Sequence, residues 1–210
     1  MGPHNITVEP LEPARYAEAG ALLARAFERD PLYAYVLPDA ATRPAKLTWM
    51  FERWLRAVAP SGAADITSGG EGVALWLPPG HRSSVGLWGQ IRTGLIWAPF
   101  QIGARNLPRA LRVAVDMRDR IQALEYPYWE LNTLGVDPAA QRSGIGSLLI
   151  RHGFERASRD RAPCYVITHN AANVAYYERF GFNVAQQRPQ EEGDFFACTL
   201  RRDAPVKNQG

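Results

Sequence analysis

Hydrophobic and polar positions in the N-terminal half follow the periods of helices and strands. Alternation over residues 6–9 predicts a short strand, and apolar residues at spacings of three and four predict helices over about 14–29 and 43–58. The apolar runs 64–67 and 72–77 are joined by a turn with two adjacent glycines, which predicts a hairpin. This half therefore combines helices with antiparallel strands.

The C-terminal half alternates strands with helices after a helical stretch at about 85–124, which is predicted to break near 99–108. The elements predicted next are strands over 128–136, 164–168, 182–186 and 195–201 and helices over 144–158 and 171–180. The central strand–helix–strand order implies a right-handed crossover and at least one pair of parallel strands. Because hairpins lie at both ends, the predicted fold class is α/β (α+β) with a mixed sheet.

A loop with two closely spaced glycines lies between the strand at 128–136 and the next helix. Backbone N–H groups there can point at an anion, and the helix dipole adds partial positive charge. Gln141 and Arg142 can add donors, so a pyrophosphate suits this loop. Leu149 stands where a dinucleotide fingerprint has its third glycine, and no Walker sequence follows. This segment, called the glycine loop below, reads Gln141-Arg142-Ser143-Gly144-Ile145-Gly146-Ser147.

A second motif begins about thirty residues after the glycine loop. It reads Asn170-Ala171-Ala172-Asn173-Val174-Ala175-Tyr176-Tyr177-Glu178-Arg179-Phe180-Gly181-Phe182. Together the two motifs resemble the GNAT superfamily of acyl-CoA-dependent N-acyltransferases. In that family a Gln/Arg-x-x-Gly-x-Gly/Ala loop precedes an Asn and a Tyr-Glu-Arg-x-Gly-Phe stretch. Both motifs match in order, and the resemblance covers about residues 128–200.

The resemblance also implies an architecture. The Ala74-Leu75-Trp76 strand and the helical insertion at about 85–124 are most similar to the subgroup that includes puromycin N-acetyltransferase. We therefore expect a GNAT-type, mostly antiparallel central sheet of about six to seven strands, flanked by helices, with the insertion before the central strand. The same resemblance implies a single N-acetyltransferase domain over 1–203 and a polar tail over 204–210.

Acetyl-CoA is the co-substrate that the resemblance implies. Its pyrophosphate would lie on the glycine loop, and its pantetheine arm would pair with the preceding strand, because the arm's amides can use an open strand edge. Asn170 and Asn173 match asparagines that hold coenzyme A in the family, and either could instead cap a helix. The implied cofactor-binding residues are the backbones of Leu134 and Val136, then Gln141, Arg142, Ser143, Gly144, Ile145, Gly146, Ser147, Asn170, Asn173 and Tyr177.

Amide formation needs a neutral amine, stabilisation of an oxyanion and a proton for the leaving thiolate. The resemblance places the family's general-acid tyrosine at Tyr177, although either this residue or Tyr176 could fill the core. Glu130 lies on the strand before the loop, roughly where relatives have a carboxylate base, and the alternative is a solvent-facing strand residue. Asn132, on the same face, could orient a water but cannot act as the base.

Other residue types give weaker indications. His169, at the end of the strand 164–168, is the histidine placed near the predicted chemistry. Trp76, Trp88 and Trp97 could line an acceptor pocket, but core packing is the favoured interpretation for each. Since His, Cys and carboxylate residues do not show metal-ligand spacing, we predict no metal site.

Composition argues against several other classes. The 210 residues carry 24 Lys and Arg against 21 Asp and Glu, and these charges are interspersed, so no nucleic-acid partner is expected. No window approaches the ~20 apolar residues of a membrane span, and no signal pattern opens the chain. Cys164 and Cys198 are interpreted as buried free thiols. A cytoplasmic location is predicted.

The main hypothesis is transfer of an acetyl group from acetyl-CoA to a primary amine of a small molecule, by direct attack in a ternary complex. The insertion favours a small acceptor because it could roof a pocket. Acetylation of a protein or peptide is an alternative, and so is a non-catalytic acyl-CoA sensor, which Tyr177 disfavours. A homodimer is left open as a further partner.

Overall fold

The computed structural model describes residues 6–81, 86–188 and 194–204. Within these ranges a seven-stranded sheet has the order β1-β2-β3-β4-β5-β7-β6. Its strands are β1 Val8–Pro10, β2 Ala63–Thr67, β3 Gly72–Leu77, β4 Trp129–Val136, β5 Cys164–Thr168, β6 Asn183–Arg188 and β7 Ala197–Arg202. Only the β4–β5 pair is parallel among these strands. The predicted mixed, mostly antiparallel sheet is confirmed.

The helices flank this sheet. In the described ranges the α-helices are α1 Tyr16–Phe27, α2 Pro31–Val36, α3 Arg43–Val58, α4 Leu87–Thr93, α5 Ala98–Ile102, α6 Leu107–Gln122, α7 Ile145–Asp160 and α8 Ala172–Glu178. Short 3-10 turns cover Pro13–Arg15, Ala59–Ser61, Leu95–Trp97 and Pro138–Ala140. Helix α2 falls where the sequence analysis assigned no element, because its six residues are too few to show a helical period. Helix α5 lies largely within the break predicted at 99–108.

Two apolar layers hold the helices on opposite faces of the sheet. On one face, Leu22 and Leu23 of α1 and Leu47 of α3 are fully buried against β2 and β3. The two helices come close because α1 has Gly20, where a Cβ would lie 2.8 Å from the backbone nitrogen of Glu52.

On the other face, α7 packs over Trp76, which is fully buried, as the core interpretation expected. The Trp76 ring lies over Gly153, where a Cβ would come within 2.1 Å of the indole.

The sheet opens at its centre, between β4 and β5. Their parallel pairing covers three residue pairs, Trp129–Leu131 with Cys164–Val166. A bulge follows on β4, because Leu75 pairs with Thr133 and Trp76 pairs with Leu131, which leaves Asn132 opposite neither. Bulges bend a strand and re-aim its side chains. Beyond Leu131, no strand of the described chain runs along the β5-facing edge of β4.

The insertion before β4 is helical as predicted, but its aromatic residues do not pack in the core. Trp88 is 77% exposed, Trp97 60% and Phe100 75%. Core packing was therefore a wrong interpretation for Trp88 and Trp97. The segments that carry these rings, α4, Leu95–Trp97 and α5, contact α3, and none of the three rings belongs to a buried cluster of the described residues.

Two predicted boundaries lie outside the described residues. These are the beginning of the insertion at residue 85 and the tail after Ala204. The division into one domain over 1–203 stays a prediction.

Candidate active site

A cavity of about 1000 Å³ lies beside the glycine loop, and we call it the loop cavity. It brings together nearly all of the predicted cofactor-binding residues, the exception being Ser143, whose hydroxyl instead donates to the carbonyl of Ala140 at 2.6 Å. Its lining comprises residues 25–30 and Leu134, Gly135, Val136, Pro138, Ala140, Gln141, Arg142, Gly144, Ile145, Gly146, Ser147, Asn170, Asn173, Tyr176, Tyr177 and Arg179.

The glycine loop presents backbone N–H groups to this cavity. Gly144 caps α7 with φ 91°, a left-handed conformation that favours glycine, and Arg142 adopts φ 65°. The first α7 amide that bonds within the helix is that of Leu148, which donates to the carbonyl of Gly144 at 2.9 Å. The amides of the preceding helical turn are the unpaired donors of a helix N-terminus, which favour an anion.

Charged side chains brace the loop and line the cavity. Arg25 at the end of α1 forms an ion pair with Asp137 at 2.7 Å, which ties α1 to the turn after β4. The side chain of Gln141 donates to the carbonyl of Val136 at 3.2 Å. Arg29 and Arg179 also line the cavity, so its polar rim is predominantly basic. This electrostatic character suits a phosphate-bearing ligand.

The two neighbouring tyrosines have different positions. Tyr176 lines only the loop cavity, where its hydroxyl shares a hydrogen bond with Ser147 and lies 2.6 Å from the position of a Cβ on Gly146. Tyr177 lines the loop cavity and a second cavity. Burial, with smaller contributions from Tyr176 and Asp30, raises the pKa of Tyr177 far above its ordinary value, so it remains a neutral phenol at physiological pH.

The hydroxyl of Tyr177 is available to a ligand. Across the described ranges, no group forms a hydrogen bond with it. Its ring is 7% exposed and packs edge-on against Phe182 at a centroid distance of 5.9 Å, which fixes its orientation.

Asn170 and Asn173 both border the loop cavity and both support the local backbone. The Asn170 carboxamide oxygen accepts from the amide of Ala172 at 3.1 Å, but Ala171 is the N-cap of α8, so Asn170 supports the helix start from one residue outside the cap. Asn170 also lines the loop cavity. The Asn173 side chain donates to the hydroxyl of Thr168 at 3.4 Å. Asn173 also reaches the second cavity.

The second cavity, of about 460 Å³, is walled by α2, α3 and α6, and we call it the helical cavity. The residues that line both cavities are Phe27, Asp30, Leu134, Asn173 and Tyr177. The two cavities therefore meet where β4 and β5 separate.

Glu130 lies beneath the helical cavity and does not line it. It is 4% exposed and accepts a hydrogen bond from the Asn132 side chain at 2.9 Å. The Asn132 oxygen accepts from the Trp54 indole at 3.1 Å and from the hydroxyl of Thr133 at 3.1 Å, and Asn132 does line the cavity. Burial raises the pKa of Glu130, and the Asn132 hydrogen bond opposes this in part. The solvent-facing alternative for Glu130 is therefore wrong.

His169 lines the helical cavity beside Phe195, with a ring centroid distance of 5.8 Å. Burial lowers the pKa of His169 to about 4, so the imidazole is neutral at pH 7. Within the described structure, its Nε2 atom is buried without a hydrogen-bond partner.

Sequence reasoning missed two residues of this site. Asp30 lines both cavities and Trp54 orients Asn132. The Asp30-Pro31 pair is a helix-start signal that could have placed Asp30 as the cap of α2. No signal could have placed Trp54, because its partner lies 78 residues away in the chain.

The described part of the chain contains no group of three or more His, Cys, Asp or Glu that could hold a metal ion. None of its helices is both long and apolar enough to cross a bilayer.

The sheet separates between β4 and β5, and the two cavities meet at this separation, so two ligands could lie side by side there. Residues 109–182 match a sequence model of the acetyltransferase (GNAT) family. These residues resemble that family, and the match covers about a third of the chain.

A short segment of the chain is also similar to curated relatives. It is 44% identical over 57 residues to the mycothiol acetyltransferase of Salinispora arenicola, a match that covers 25% of this chain. The match spans 19% of the length of that relative.

Solved structures share the fold over nearly the whole chain. A structure from Corynebacterium glutamicum, described as histone acetyltransferase HPA2 and related acetyltransferase, has TM-score 0.68 and 22% identity and covers 98% of this chain and 99% of its own. The ribosomal-protein-S18-alanine N-acetyltransferase of Escherichia coli has TM-score 0.57 and 16% identity, with coverage of 98% and 97%. These similarities establish the fold.

Proposed function

We propose that this protein transfers the acetyl group of acetyl-CoA to a primary amine of a small molecule. The observation that carries the proposal is the meeting of two unlike cavities at Tyr177. One has the basic rim and helix N-terminus that suit a pyrophosphate, and the other is walled by α2, α3 and α6. The open edge of β4, near Leu134 and Val136, supports a pantetheine arm that runs from the loop cavity toward the junction.

In the proposed reaction the neutral amine attacks the thioester carbonyl, and the carbon–nitrogen bond forms before the carbon–sulfur bond breaks. Burial keeps the phenol of Tyr177 protonated, and it would donate that proton to the sulfur as the carbon–sulfur bond breaks. The proton lost by the amine nitrogen would pass to the predicted base. Glu130 remains the predicted base, and Asn132 would hold a water between Glu130 and the helical cavity. Both roles are predictions.

Direct attack in a ternary complex is favoured over an acyl-enzyme route. The described residues that line the two cavities include no cysteine, and Cys164 and Cys198 are both buried elsewhere. Burial also raises the pKa of Cys164 to about 11, which keeps it a thiol.

The test combines acetyl-CoA with a panel of primary amines, peptides and amino acids, and follows both the free thiol and the mass of the acetylated product. We expect acetyl-CoA binding by calorimetry, turnover on small amines, and intersecting double-reciprocal plots. Parallel plots would indicate a covalent intermediate and contradict direct attack. Absence of acetyl-CoA binding, together with silence across the panel, would refute the proposal.

A further inference from the structure

We infer that the helical cavity binds an apolar amine with a single positive charge and no acidic group, and that the carboxylate of Asp30 pairs with its ammonium. This inference rests on the proposed function and names the substrate class of the same site. It makes Asp30 a specificity-determining residue, separate from the predicted base Glu130.

The walls of the helical cavity are predominantly apolar. At about 460 Å³ it lies within the size range of small-molecule sites and toward the lower end of that range. α6 contributes small and medium apolar side chains on one side, and the aromatic rings of α1, α2 and α3 lie on the other. The apolar side chains that line it include Phe27, Leu32, Tyr33, Val36, Met50, Phe51, Trp54, Ile102, Ala110, Val113 and Met117.

The described lining of the helical cavity includes a negatively charged side chain and no permanently positive one. Among the described lining residues, Asp30 is the only carboxylate, and there is no lysine or arginine. His169 adds no charge at pH 7, because its pKa is lowered to about 4. A carboxylate or phosphate on the acceptor would therefore meet a negative charge without a positive partner, whereas a single ammonium would meet its complement.

Asp30 is held in place at the junction of the two cavities. It caps α2, where its Oδ1 accepts from the amide of Leu32 at 3.0 Å. No ion pair in the described structure involves Asp30. Asp30 and Tyr177 line both cavities, and Tyr33 lines the helical cavity with them. A mostly buried carboxylate without an ionic partner is costly, and a bound ammonium would offset that cost.

Glu130 is a poor candidate for this recognition role. It lies behind Asn132 and does not line the cavity, so an ammonium in the cavity cannot contact it directly. Asp30 can make that contact and also borders the loop cavity, where the thioester is expected. An amine bound at Asp30 would therefore lie beside Tyr177.

The first test compares acceptors that differ by one feature. 2-Phenylethylamine is the apolar monoamine, phenylalanine adds a carboxylate, and spermidine replaces the apolar part with further ammonium groups. We expect kcat/KM for 2-phenylethylamine to exceed that for either of the others by about a hundredfold, which is two tenfold steps of about 1.4 kcal/mol each. Equal or better turnover of phenylalanine, spermidine or a peptide overturns the inference.

The second test removes the negative charge of Asp30 and keeps a side chain that can cap α2. Asp30→Asn retains a side-chain oxygen that can cap α2. We expect KM for 2-phenylethylamine to rise at least about tenfold, as for the loss of a buried charge partner, with kcat at saturating amine changed less than about threefold. The matched control is Asp39→Asn on the surface, where Asp39 accepts from the amide of Ala41 at 3.1 Å.

The two proposals fail in distinguishable ways. If acetyl-CoA does not bind the wild-type protein, the proposed function fails and the inference falls with it. If acetyl-CoA binds and phenylalanine or spermidine is preferred, only the inference fails. If a peptide is preferred, the small-molecule acceptor of the proposed function fails as well. An unchanged KM in Asp30→Asn, or a loss confined to kcat, also overturns it, because either result means that Asp30 does not bind the ammonium.

Discussion

At the scale of single residues, adjacent side chains of the same type have different environments. Tyr176 shares a hydrogen bond with Ser147 at the glycine loop, while the hydroxyl of Tyr177 lies at the junction of the two cavities. Helical geometry explains the difference, since successive residues point about 100° apart around the axis. A conservative change at each position therefore separates cofactor binding from chemistry.

The first prediction concerns the proton donor. Tyr177→Phe should lower kcat by at least about a hundredfold, the usual range for a lost general acid, and leave the Kd of acetyl-CoA within a few-fold. Tyr176→Phe is the matched control, and it should weaken acetyl-CoA binding modestly with little change in kcat. Steady-state kinetics and calorimetry on both variants measure this. Equal loss of kcat in the two variants would argue against Tyr177 as the acid.

The second prediction concerns the buried carboxyl of Glu130, whose pKa is raised in the folded protein. Its contribution to stability is fully present below the unfolded pKa of about 4.3 and is lost as the pH rises through the folded pKa. Glu130→Gln keeps the acceptor for Asn132 and does not titrate. The variant should therefore become more stable relative to wild type as the pH rises above about 4.3, until the difference levels off.

Urea unfolding of wild type and Glu130→Gln between pH 4 and pH 8 measures this difference. Asp30 and the tyrosines cancel in the comparison, because both proteins contain them. Glu12→Gln, at an exposed position, is the control for replacing a carboxylate by an amide. A Glu130→Gln difference that is flat with pH would contradict the raised pKa.

At the scale of elements, the glycine loop works through its backbone rather than its side chains. Gly144 has open space around the position of a Cβ, so its only constraint is φ 91°. Gly86 caps α4 with φ −61° and has equally open surroundings. The two helix caps share open surroundings and differ in backbone conformation, which is left-handed at Gly144 and extended at Gly86, so they form a matched pair.

The third prediction follows from that pair. Gly144→Ala should lower the free energy of unfolding by about 1–2 kcal/mol more than Gly86→Ala, because a left-handed conformation costs a residue with a Cβ that much. It should also weaken acetyl-CoA binding, since the strained loop realigns its amides. Urea unfolding and calorimetry test both parts. Equal effects of the two variants would show that the left-handed conformation is not required.

At the scale of the whole molecule, polar contacts of α6 connect the insertion to strands β7 and β6 at one edge of the sheet. Arg120 of α6 is 4% exposed, and it donates to Asp116 at 2.7 Å and to the hydroxyl of Thr199 on β7 at 3.2 Å. Asp116 also pairs with Arg188 of β6 at 3.2 Å. These contacts hold α6 where it forms a wall of the helical cavity, so the proposed acceptor binding would depend on residues remote from the chemistry.

The fourth prediction tests that dependence. Arg120→Met should lower the free energy of unfolding by about 3 kcal/mol, because Asp116 loses a buried partner. KM for the amine should rise, while the Kd of acetyl-CoA should change little, because α6 does not line the loop cavity. Arg118→Met, on the exposed side of the same helix, is the control and should stay within about 0.5 kcal/mol of wild type. An equal loss of acetyl-CoA affinity would contradict the expectation that Arg120 supports the helical cavity and not the loop cavity.

Local pattern was enough to predict much of the fold. Helix α3 and strand β5 have the predicted bounds, because their apolar spacing and flanking breakers are local properties. The exposed faces of Trp88 and Trp97 were not predictable. Hydrophobic period indicates that a helix has an apolar face and does not indicate which neighbour, if any, covers that face.

The sequence by itself determined the position of the glycine loop, the Tyr177 motif and the order of strands and helices, because each depends on residues close together in the chain. Tertiary structure alone decided that β4 separates from β5 after three residue pairs and that Glu130 is buried behind Asn132. It also decided that Asp30 comes to the junction of two cavities. The physical reason is that burial and the ionic environment of a group depend on distant segments packed around it, which no local pattern encodes.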